Sequence, residues 1–253
     1  MLKVKLRSKE VTLGSWITIG NTAIAEIMAK ADFDWLVVDL EHSVISIDVA
    51  GELIRTIDLC GVAPLVRLTS NDPNQIKRVM DAGAHGIVVP KVNHPDEAAL
   101  AVAATRYAPA GSRGVGLARA QGYGVNFNDY LQWQNDGPVV IVQIEHKDAI
   151  ERLDDILAVP GVDGFIIGPY DLSCSMGIPG QFEQPEFISA MTHIRETGKR
   201  LGYPTGIHIV EPDPQRLELS IQEGYTFIAY SVDIRMLDVG ARQGVSKLKT
   251  VLK

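Results

Sequence analysis

Cysteine is scarce in this chain of 253 residues, which contains only Cys60 and Cys174. Two cysteines so far apart form neither a metal-binding motif nor the dense disulfide framework of small secreted domains. We therefore expect free thiols and a reducing, cytoplasmic environment.

Long apolar runs and concentrated positive charge are also missing. No stretch approaches 18 consecutive apolar residues, and the basic, polar segment Met1–Glu10 has no apolar core behind it, so neither a membrane span nor a signal peptide is predicted. The formal net charge is -7 and no block of five or more like charges occurs. This excludes a broad cationic surface for nucleic acid or anionic lipid and leaves small molecules as the expected partners.

Short apolar runs rich in β-forming residues recur along the chain, and segments with helical spacing lie between most of them. The eight candidate strands are Ser15–Ile19, Trp35–Val38, Ala63–Val66, Gly86–Val89, Val139–Ile144, Gly164–Ile167, Thr205–Ile209 and Phe227–Ala229. Such an alternation indicates a parallel sheet covered by helices on its outside. A doubly wound sheet would usually carry a glycine-rich phosphate turn after an early strand, which is absent, and about 250 residues is the usual length of a complete barrel. The prediction is a single (β/α)8 TIM barrel domain over residues 1–253.

One long irregular segment, Ala108–Asp136, separates the fourth and fifth candidate strands. It contains GSRGVGLARAQGYG, with Arg113 and Arg119. Dense glycine with two arginines predicts a functional loop over the barrel mouth, and a solvated connector is the alternative.

Polar residues gather at the ends of the candidate strands, where the loops of a β/α barrel build the active site. Strand two ends in Asp39-Leu40-Glu41-His42, strand three in Arg67, strand four in Lys91, strand five in Gln143-Ile144-Glu145-His146 and strand six in Gly168-Pro169-Tyr170-Asp171. Glu145 and Asp171 close successive strands, so they are expected to aim two carboxylates at one point, which suits Mg²⁺ or Mn²⁺. The alternative is that each carboxylate caps a helix or pairs with a surface base.

The other rim residues each have a functional and a structural interpretation. Arg67 would meet an anion or an enolate oxygen, or else form a salt bridge inside the rim. His42, beside two acids, is a candidate proton carrier, although a lone histidine is more often structural. Lys91 is a candidate for a Schiff base with a ketone, but no nearby residue offers an evident way to lower its pKa.

Four motifs resemble one known family. DLEHS from Asp39, LVR ending at Arg67, QIE ending at Glu145 and GPYDLS from Gly168 are similar, in order and spacing, to the HpcH/HpaI aldolases, class II pyruvate aldolases built on a phosphoenolpyruvate/pyruvate-type barrel. The resemblance runs from about Gly14 to about Asp238.

The resemblance implies a divalent metal, Mg²⁺ or Mn²⁺ with Co²⁺ as a further candidate, held by Glu145 and Asp171. Pyruvate would chelate this metal, which would acidify its methyl group by stabilising the enolate. Arg67 would stabilise the developing charge, and His42 would act as the base through water. The pyruvate would be held by Gln143 and by the backbone around Gly168, Pro169 and Tyr170. The implied reaction is the reversible cleavage of a 4-hydroxy-2-oxo acid to pyruvate and an aldehyde.

The resemblance also implies a second carboxylate, Asp81, that raises the basicity of His42. Asp81 lies at the C-terminal end of a predicted helix, on the wrong side of its own barrel, so it would reach His42 from a neighbouring subunit. Arg119 would likewise approach a neighbour's mouth or close over the second substrate. The family implies a homo-oligomer, typically a hexamer with exchanged C-terminal helices, and Ile234–Lys253 is the candidate exchanged helix, or an ordinary eighth barrel helix.

Rival functions remain open at this point. An oxaloacetate-type decarboxylase would use the same enolate. A citrate-lyase-like enzyme acting on acyl-CoA thioesters would need a basic cluster that the sequence lacks. A metabolite-binding barrel without turnover and a class I aldolase using Lys91 complete the alternatives.

Overall fold

The structure, a computed structural model, describes residues 1–251, and at positions 247 and 249–251 it describes the helix alone. The strands are β1 (Thr12–Ile17), β2 (Trp35–Asp39), β3 (Ala63–Arg67), β4 (Gly86–Val89), β5 (Val139–Ile144), β6 (Gly164–Ile167), β7 (Thr205–Ile209) and β8 (Phe227–Val232). The helices of this part of the chain are α1 (Leu2–Arg7), α2 (Thr22–Ala29), α3 (Ile47–Leu59), α4 (Pro73–Ala82), α5 (Pro95–Thr105), α6 (Phe127–Trp133), α7 (Lys147–Glu151), α8 (Leu153–Leu157), α9 (Pro169–Ser175), α10 (Pro185–Leu201), α11 (Pro214–Gln222) and α12 (Asp233–Val251).

The eight strands close into one parallel barrel. Each strand pairs with the next along the chain, and β8 pairs with β1. Closure satisfies the backbone hydrogen bonds of every strand on both sides, and the helices cover the outer apolar face. The predicted (β/α)8 TIM barrel is confirmed.

Large apolar side chains fill the barrel interior. Trp35 and Phe227 stack with ring centroids 4.1 Å apart, and both side chains are fully buried. Gly14 on β1 makes room for this stack, because a Cβ atom added there would lie 2.0 Å from the Trp35 ring. The short helix α1 closes the amino end of the barrel with Leu2 and Leu6, which belong to the same apolar cluster.

The bounds of several predicted elements differ from the structure. The first strand runs over Thr12–Ile17 instead of Ser15–Ile19, because the N–H groups of Thr18 and Ile19 bond to the Asp233 carboxylate instead of a neighbouring strand. The segment of helical spacing between β5 and β6 folds as two short helices, α7 and α8. Helix α1 was not predicted, because six residues are too few to display a helical period.

The segment Ala108–Asp136 lies at the end of the barrel opposite the mouth. It follows helix α5 and leads into the amino end of β5, so its position is that of a helix-to-strand connection. Arg113 and Arg119 both bond to groups near the C-terminal end of α4. The prediction of a loop over the chain's own mouth is therefore wrong.

The C-terminal helix begins on its own barrel. Asp233, the first residue of α12, is buried, and its carboxylate binds the backbone after β1. Further along, Leu237, Val245 and Leu248 are exposed. Residues 252 and 253 of the predicted helix Ile234–Lys253 lie outside the described residues. Within residues 1–251 no helix has the length and apolar character that crossing a membrane requires.

The packing around Gly14 yields a stability prediction. We expect Gly14→Ala to lower the free energy of unfolding by about 1–3 kcal/mol, because the added methyl group must displace the buried Trp35 ring. Gly51, in α3, is the matched control: a Cβ there meets nothing within 4 Å. Gly51→Ala should leave stability unchanged or raise it by about 0.5–1 kcal/mol. Urea unfolding measures both, and equal stability of the two variants would contradict the packing argument.

Candidate active site

A cavity of about 290 Å³ opens at the carboxyl ends of the strands, where the sequence predicted the active site. Its lining residues come from strands and strand ends around the barrel: Trp16, His42, Arg67, Gln143, Ile166, Ile167, Gly168, Pro169, Tyr170, Asp171, His208 and Val210. The structure thus brings most of the predicted rim residues together. Larger cavities, of about 550 and 680 Å³, lie at the opposite end of the barrel around Arg119 and α1.

Arg67 is held by Asp39 through two hydrogen bonds. Its Nε donates to Asp39 Oδ1 at 2.8 Å and its Nη2 to Oδ2 at 2.5 Å, while the guanidinium carbon lies 4.3 Å from the centre of the Trp16 ring. The Asp39 side chain is 2% exposed and that of Arg67 is 13% exposed. The salt bridge considered as an alternative is therefore present, and it fixes the guanidinium in the cavity wall.

The same aspartate also positions the turn that carries His42. Asp39 Oδ1 accepts hydrogen bonds from the backbone N–H groups of Glu41, at 3.0 Å, and His42, at 3.3 Å. The His42 ring is largely exposed, with Nε2 3.8 Å from Glu41 Oε2. Burial raises the pKa of Glu41, and Arg67 and His42 oppose that shift. His42 thus lies at the entrance to the cavity, within reach of solvent and of an acidic neighbour.

Glu145 is a buried carboxylate with few donors around it. Its Oε1 accepts the backbone N–H of Lys91 at 2.8 Å, and its Oε2 accepts a short bond from the amide of Gln143. Gly168 leaves the space that the carboxylate fills, since a Cβ there would lie 2.7 Å from Glu145 Oε2. The oxygen of the same Gln143 amide, Oε1, is buried without a partner among the described residues.

The electrostatics of Glu145 indicate a place for a cation. Its pKa is raised to about 7, chiefly by burial and also by the charges of Glu41 and Asp171, against the bonds from Lys91 and Gln143, which lower it. Asp171, in the first turn of α9, is exposed at the cavity. No cluster of three or more His, Cys, Asp or Glu ligands occurs within residues 1–251. Asp171 lines the cavity, and Glu145 is bonded to the lining residue Gln143. Two carboxylates in this arrangement fit a hard cation that takes its other ligands from water and substrate.

Lys91 contributes its backbone rather than its amine. Its φ of 53° is the left-handed conformation that residues other than glycine rarely adopt, and its N–H donates to Glu145. The side chain is exposed. Nothing in the sequence predicted this contact between the Lys91 backbone and Glu145.

Asp81 and Arg119 lie outside this cavity in their own chain. Asp81, near the C-terminal end of α4, accepts a bond from Arg113 at 2.5 Å. Arg119 donates to Asp58 at 2.5 Å and to the carbonyl of Ala82 at 3.2 Å. The structure thus separates Asp81 from His42 of the same chain, as the sequence indicated, and Arg119 does not cover the mouth of its own barrel.

Two wall residues were not predicted from the sequence. Trp16 and His208 pack against each other with ring centroids 5.4 Å apart. Trp16 lies on β1 and supports Arg67, and His208 lies on β7. Both residues lie near the end of a strand, at positions where the alternation of side chains points into the barrel. This pattern could have identified them from the sequence.

A closed β/α barrel with carboxylates and an arginine at the carboxyl ends of its strands has the architecture of an enzyme acting on a small, oxygen-rich substrate. Residues 12–238 match the family model of the HpcH/HpaI aldolase/citrate lyase family. The chain belongs to this family. The resemblance carried by the four motifs, and the prediction of an aldolase-type lyase, are confirmed.

Named relatives agree with this membership over nearly the whole chain. A hydroxypyruvate/pyruvate aldolase of Sagittula stellata is 39% identical over 240 residues, covering 94% of each protein. A 4-hydroxy-2-oxo-heptane-1,7-dioate aldolase of Escherichia coli is 40% identical over 240 residues, covering 93% of this chain and 89% of that protein. A family member of solved structure from Burkholderia cenocepacia superimposes with a TM-score of 0.92 at 34% identity, covering 98% of both chains.

The burial of Glu145 predicts an effect on the metal-free protein. The unfolded chain ionises this group near pKa 4.5 and the folded chain near 7, so stability falls as the pH rises between these values. The loss amounts to about 3 kcal/mol by pH 8. In the presence of chelator, Glu145→Gln should therefore be more stable than the native chain at pH 8, and this advantage should vanish by pH 4.

Thermal unfolding of both proteins at the two pH values, with chelator present, measures the effect. Gln143 can turn its unpartnered Oε1 towards the new amide, so the variant need not leave a polar atom unpaired. Glu151→Gln, an exposed position in α7, is the control and should show no such pH-dependent gain. A native protein as stable as the Gln variant at pH 8 would contradict the argument.

Proposed function

We propose that the protein is a divalent-metal-dependent aldolase that reversibly cleaves a 4-hydroxy-2-oxo acid to pyruvate, or a similar 2-oxo acid, and an aldehyde. The observation that carries this proposal is the buried Glu145 carboxylate, whose pKa is raised to about 7. It is bonded to Gln143, which lines the same cavity as Asp171 and Arg67. The Sagittula and Escherichia relatives support the donor class, since both are named as aldolases of 2-oxo acids.

Glu145 and Asp171 would hold the cation, with Mg²⁺, Mn²⁺ and Co²⁺ as candidates. When bound, it would supply Lewis acidity that stabilises negative charge on the 2-oxo oxygen of the substrate. The Gln143 amide and the backbone of Gly168, Pro169 and Tyr170, which line the same cavity, would orient the 2-oxo acid.

Arg67 would face the oxygen on which charge develops. Asp39 occupies its Nε and Nη2, whereas Nη1 makes only a 3.5 Å contact with Glu41. A guanidinium fixed in this way offers a donor without having to reorganise. His42, at the entrance, would remove or return the proton through a water molecule.

We also propose that the site is completed by a second copy of the chain. Asp81 would raise the basicity of a neighbour's His42, and Arg119 would contact a neighbour's substrate. The segment carrying Arg119 exposes Val115, Leu117 and Val125, as expected of a face covered in a homo-oligomer, which we propose to be a hexamer with exchange of α12. Free Cys60 and Cys174 support a reducing, cytoplasmic location.

Deuterium exchange into the pyruvate methyl group, followed by NMR, tests the metal-dependent mechanism. Exchange should disappear on chelation, return with Mg²⁺ or Mn²⁺, and be lost in Glu145→Gln. Lys91→Met is the matched control and should keep its rate within about threefold, because the amine takes no part in the proposed chemistry.

Exchange that survives chelation but is lost in Lys91→Met would replace the metal mechanism by a Schiff base. An absence of exchange under every condition would refute the proposed aldolase.

Subunit complementation tests the role of Asp81. Asp81→Asn and His42→Ala should each lower turnover by about 100-fold or more. Mixed oligomers of the two variants should regain activity, because a chain with intact His42 can meet a neighbour with intact Asp81. Mixed oligomers of His42→Ala and Arg67→Ala are the control: both residues line the same chain's cavity, so no mixed site is complete. Mixed oligomers that form without regaining activity would contradict a role in trans.

A further inference from the structure

His208 forms a hydrogen-bond network that the proposed reaction does not use. Its Nε2 lies 3.2 Å from the carbonyl oxygen of Ser231, at the end of the neighbouring strand β8. Ser15 Oγ donates to the same carbonyl at 3.2 Å, and Ser231 Oγ donates to the carbonyl of Val210 at 2.9 Å. Three strands thus fix the position of the imidazole.

The backbone at Ser231 is strained to build this network. Ser231 is fully buried, and its φ of 55° lies in the left-handed region that residues with a side chain rarely adopt. Such a conformation costs on the order of 1 kcal/mol or more and persists where surrounding contacts enforce it. It turns the Ser231 carbonyl towards His208, so the strain serves the placement of this ring.

The network determines which ring nitrogen carries the proton. A carbonyl oxygen only accepts, so Nε2 must donate, and in a neutral imidazole the other nitrogen, Nδ1, then has a free lone pair. Nδ1 has no hydrogen-bond partner among the described residues. It is not one of the fully buried atoms that lack a partner, so part of its surface is accessible. The open space that His208 lines is the active-site cavity.

The surroundings keep this imidazole neutral. The pKa of His208 is lowered to about 4, chiefly by burial and also by the Arg67 guanidinium, against the Ser231 carbonyl and the Asp39 carboxylate, which raise it. The Trp16 ring packs against the imidazole and adds no charge.

The adjoining wall is apolar. Ile166, Ile167 and Val210 line the same cavity as His208 and Trp16. An acceptor in an apolar wall stays unpaired when the bound substrate offers no hydrogen-bond donor, and this costs binding free energy. Such a site therefore discriminates strongly between a substrate that has a hydroxyl group and one that lacks it.

We propose that Nδ1 of His208 accepts a hydrogen bond from a hydroxyl group of the substrate, making the enzyme selective for hydroxylated substrates over their deoxy counterparts. The hydroxyl belongs either to the 2-oxo acid, as in 3-hydroxypyruvate, or to the aldehyde, as in glycolaldehyde. This inference rests on the proposed aldolase function and names its substrate class.

Two substitutions separate the acceptor from the network. Gln reaches as far as Nε2, so His208→Gln keeps a donor for the Ser231 carbonyl and removes the acceptor near Nδ1. Asn ends near Nδ1, so His208→Asn restores an acceptor there and gives up the bond to Ser231. The measured quantities are two ratios of kcat/KM: hydroxypyruvate over pyruvate with one common aldehyde, and glycolaldehyde over acetaldehyde with pyruvate.

In one of the two pairs, His208→Gln should lower the wild-type ratio about tenfold and His208→Asn should keep most of it. The pair that responds identifies the source of the hydroxyl. Ratios unchanged in His208→Gln, or lowered equally by both variants, would overturn the acceptor role. In the metal-free protein at neutral pH, ¹⁵N chemical shifts should show Nε2 protonated and Nδ1 bare, and a protonated Nδ1 would also overturn it.

Deuterium exchange into the pyruvate methyl group by the wild-type enzyme distinguishes a failure of this inference from a failure of the proposed function. Intact exchange with unchanged ratios would overturn only the role of His208. No exchange would overturn the aldolase and this inference with it.

Discussion

The paired hydrogen bonds between Asp39 and Arg67 are the constraint on which the mouth of the barrel depends. Asp39 ends β2 and Arg67 ends β3, and the two residues are also register partners in the sheet, so the ion pair forms where barrel geometry places both side chains. Because Asp39 also accepts the N–H groups of Glu41 and His42, one buried carboxylate sets both the guanidinium and the turn that carries the imidazole. A bidentate pair adds direction as well as energy, and the remaining guanidinium nitrogen is presented to the cavity.

On the other side of the cavity the charge is left unbalanced. Glu145 receives two hydrogen bonds and no cation from the described residues, so burial raises its pKa to about 7 against those two bonds. A carboxylate buried in this way weakens the fold at neutral pH unless a ligand compensates it. The strained Lys91 backbone and the space left by Gly168 hold the group in place, so the fold stabilises the position of a charge that a bound cation would neutralise.

The sequence predicted the barrel and most of the rim because both follow from local patterns. Apolar runs of strand length mark the strands, and polar residues directly after them, such as Arg67 and Glu145, reach the mouth in any closed barrel. What it missed depends on contacts between distant segments. The end of β1 is set by Asp233, more than 200 residues away, and the tautomer of His208 by a carbonyl on β8. The long segment was misplaced because glycine content does not say which end of a barrel a connection occupies.

In the proposed mechanism, the two ends of the barrel carry different parts of one chemistry. Asp81 is tied to Arg113, and Arg119 to Asp58 and the Ala82 carbonyl, so neither can reach the mouth of its own chain without breaking these contacts. Contacts of this kind hold the two side chains at fixed positions on an outer surface, beside exposed Leu117 and Val125. If they act in catalysis, they act on another copy. The mouth of a single barrel then has a carboxylate pair and an oriented arginine, but its His42 is exposed. Catalytic competence would then require assembly, although the barrel closes its hydrogen bonds and buries its core within one chain.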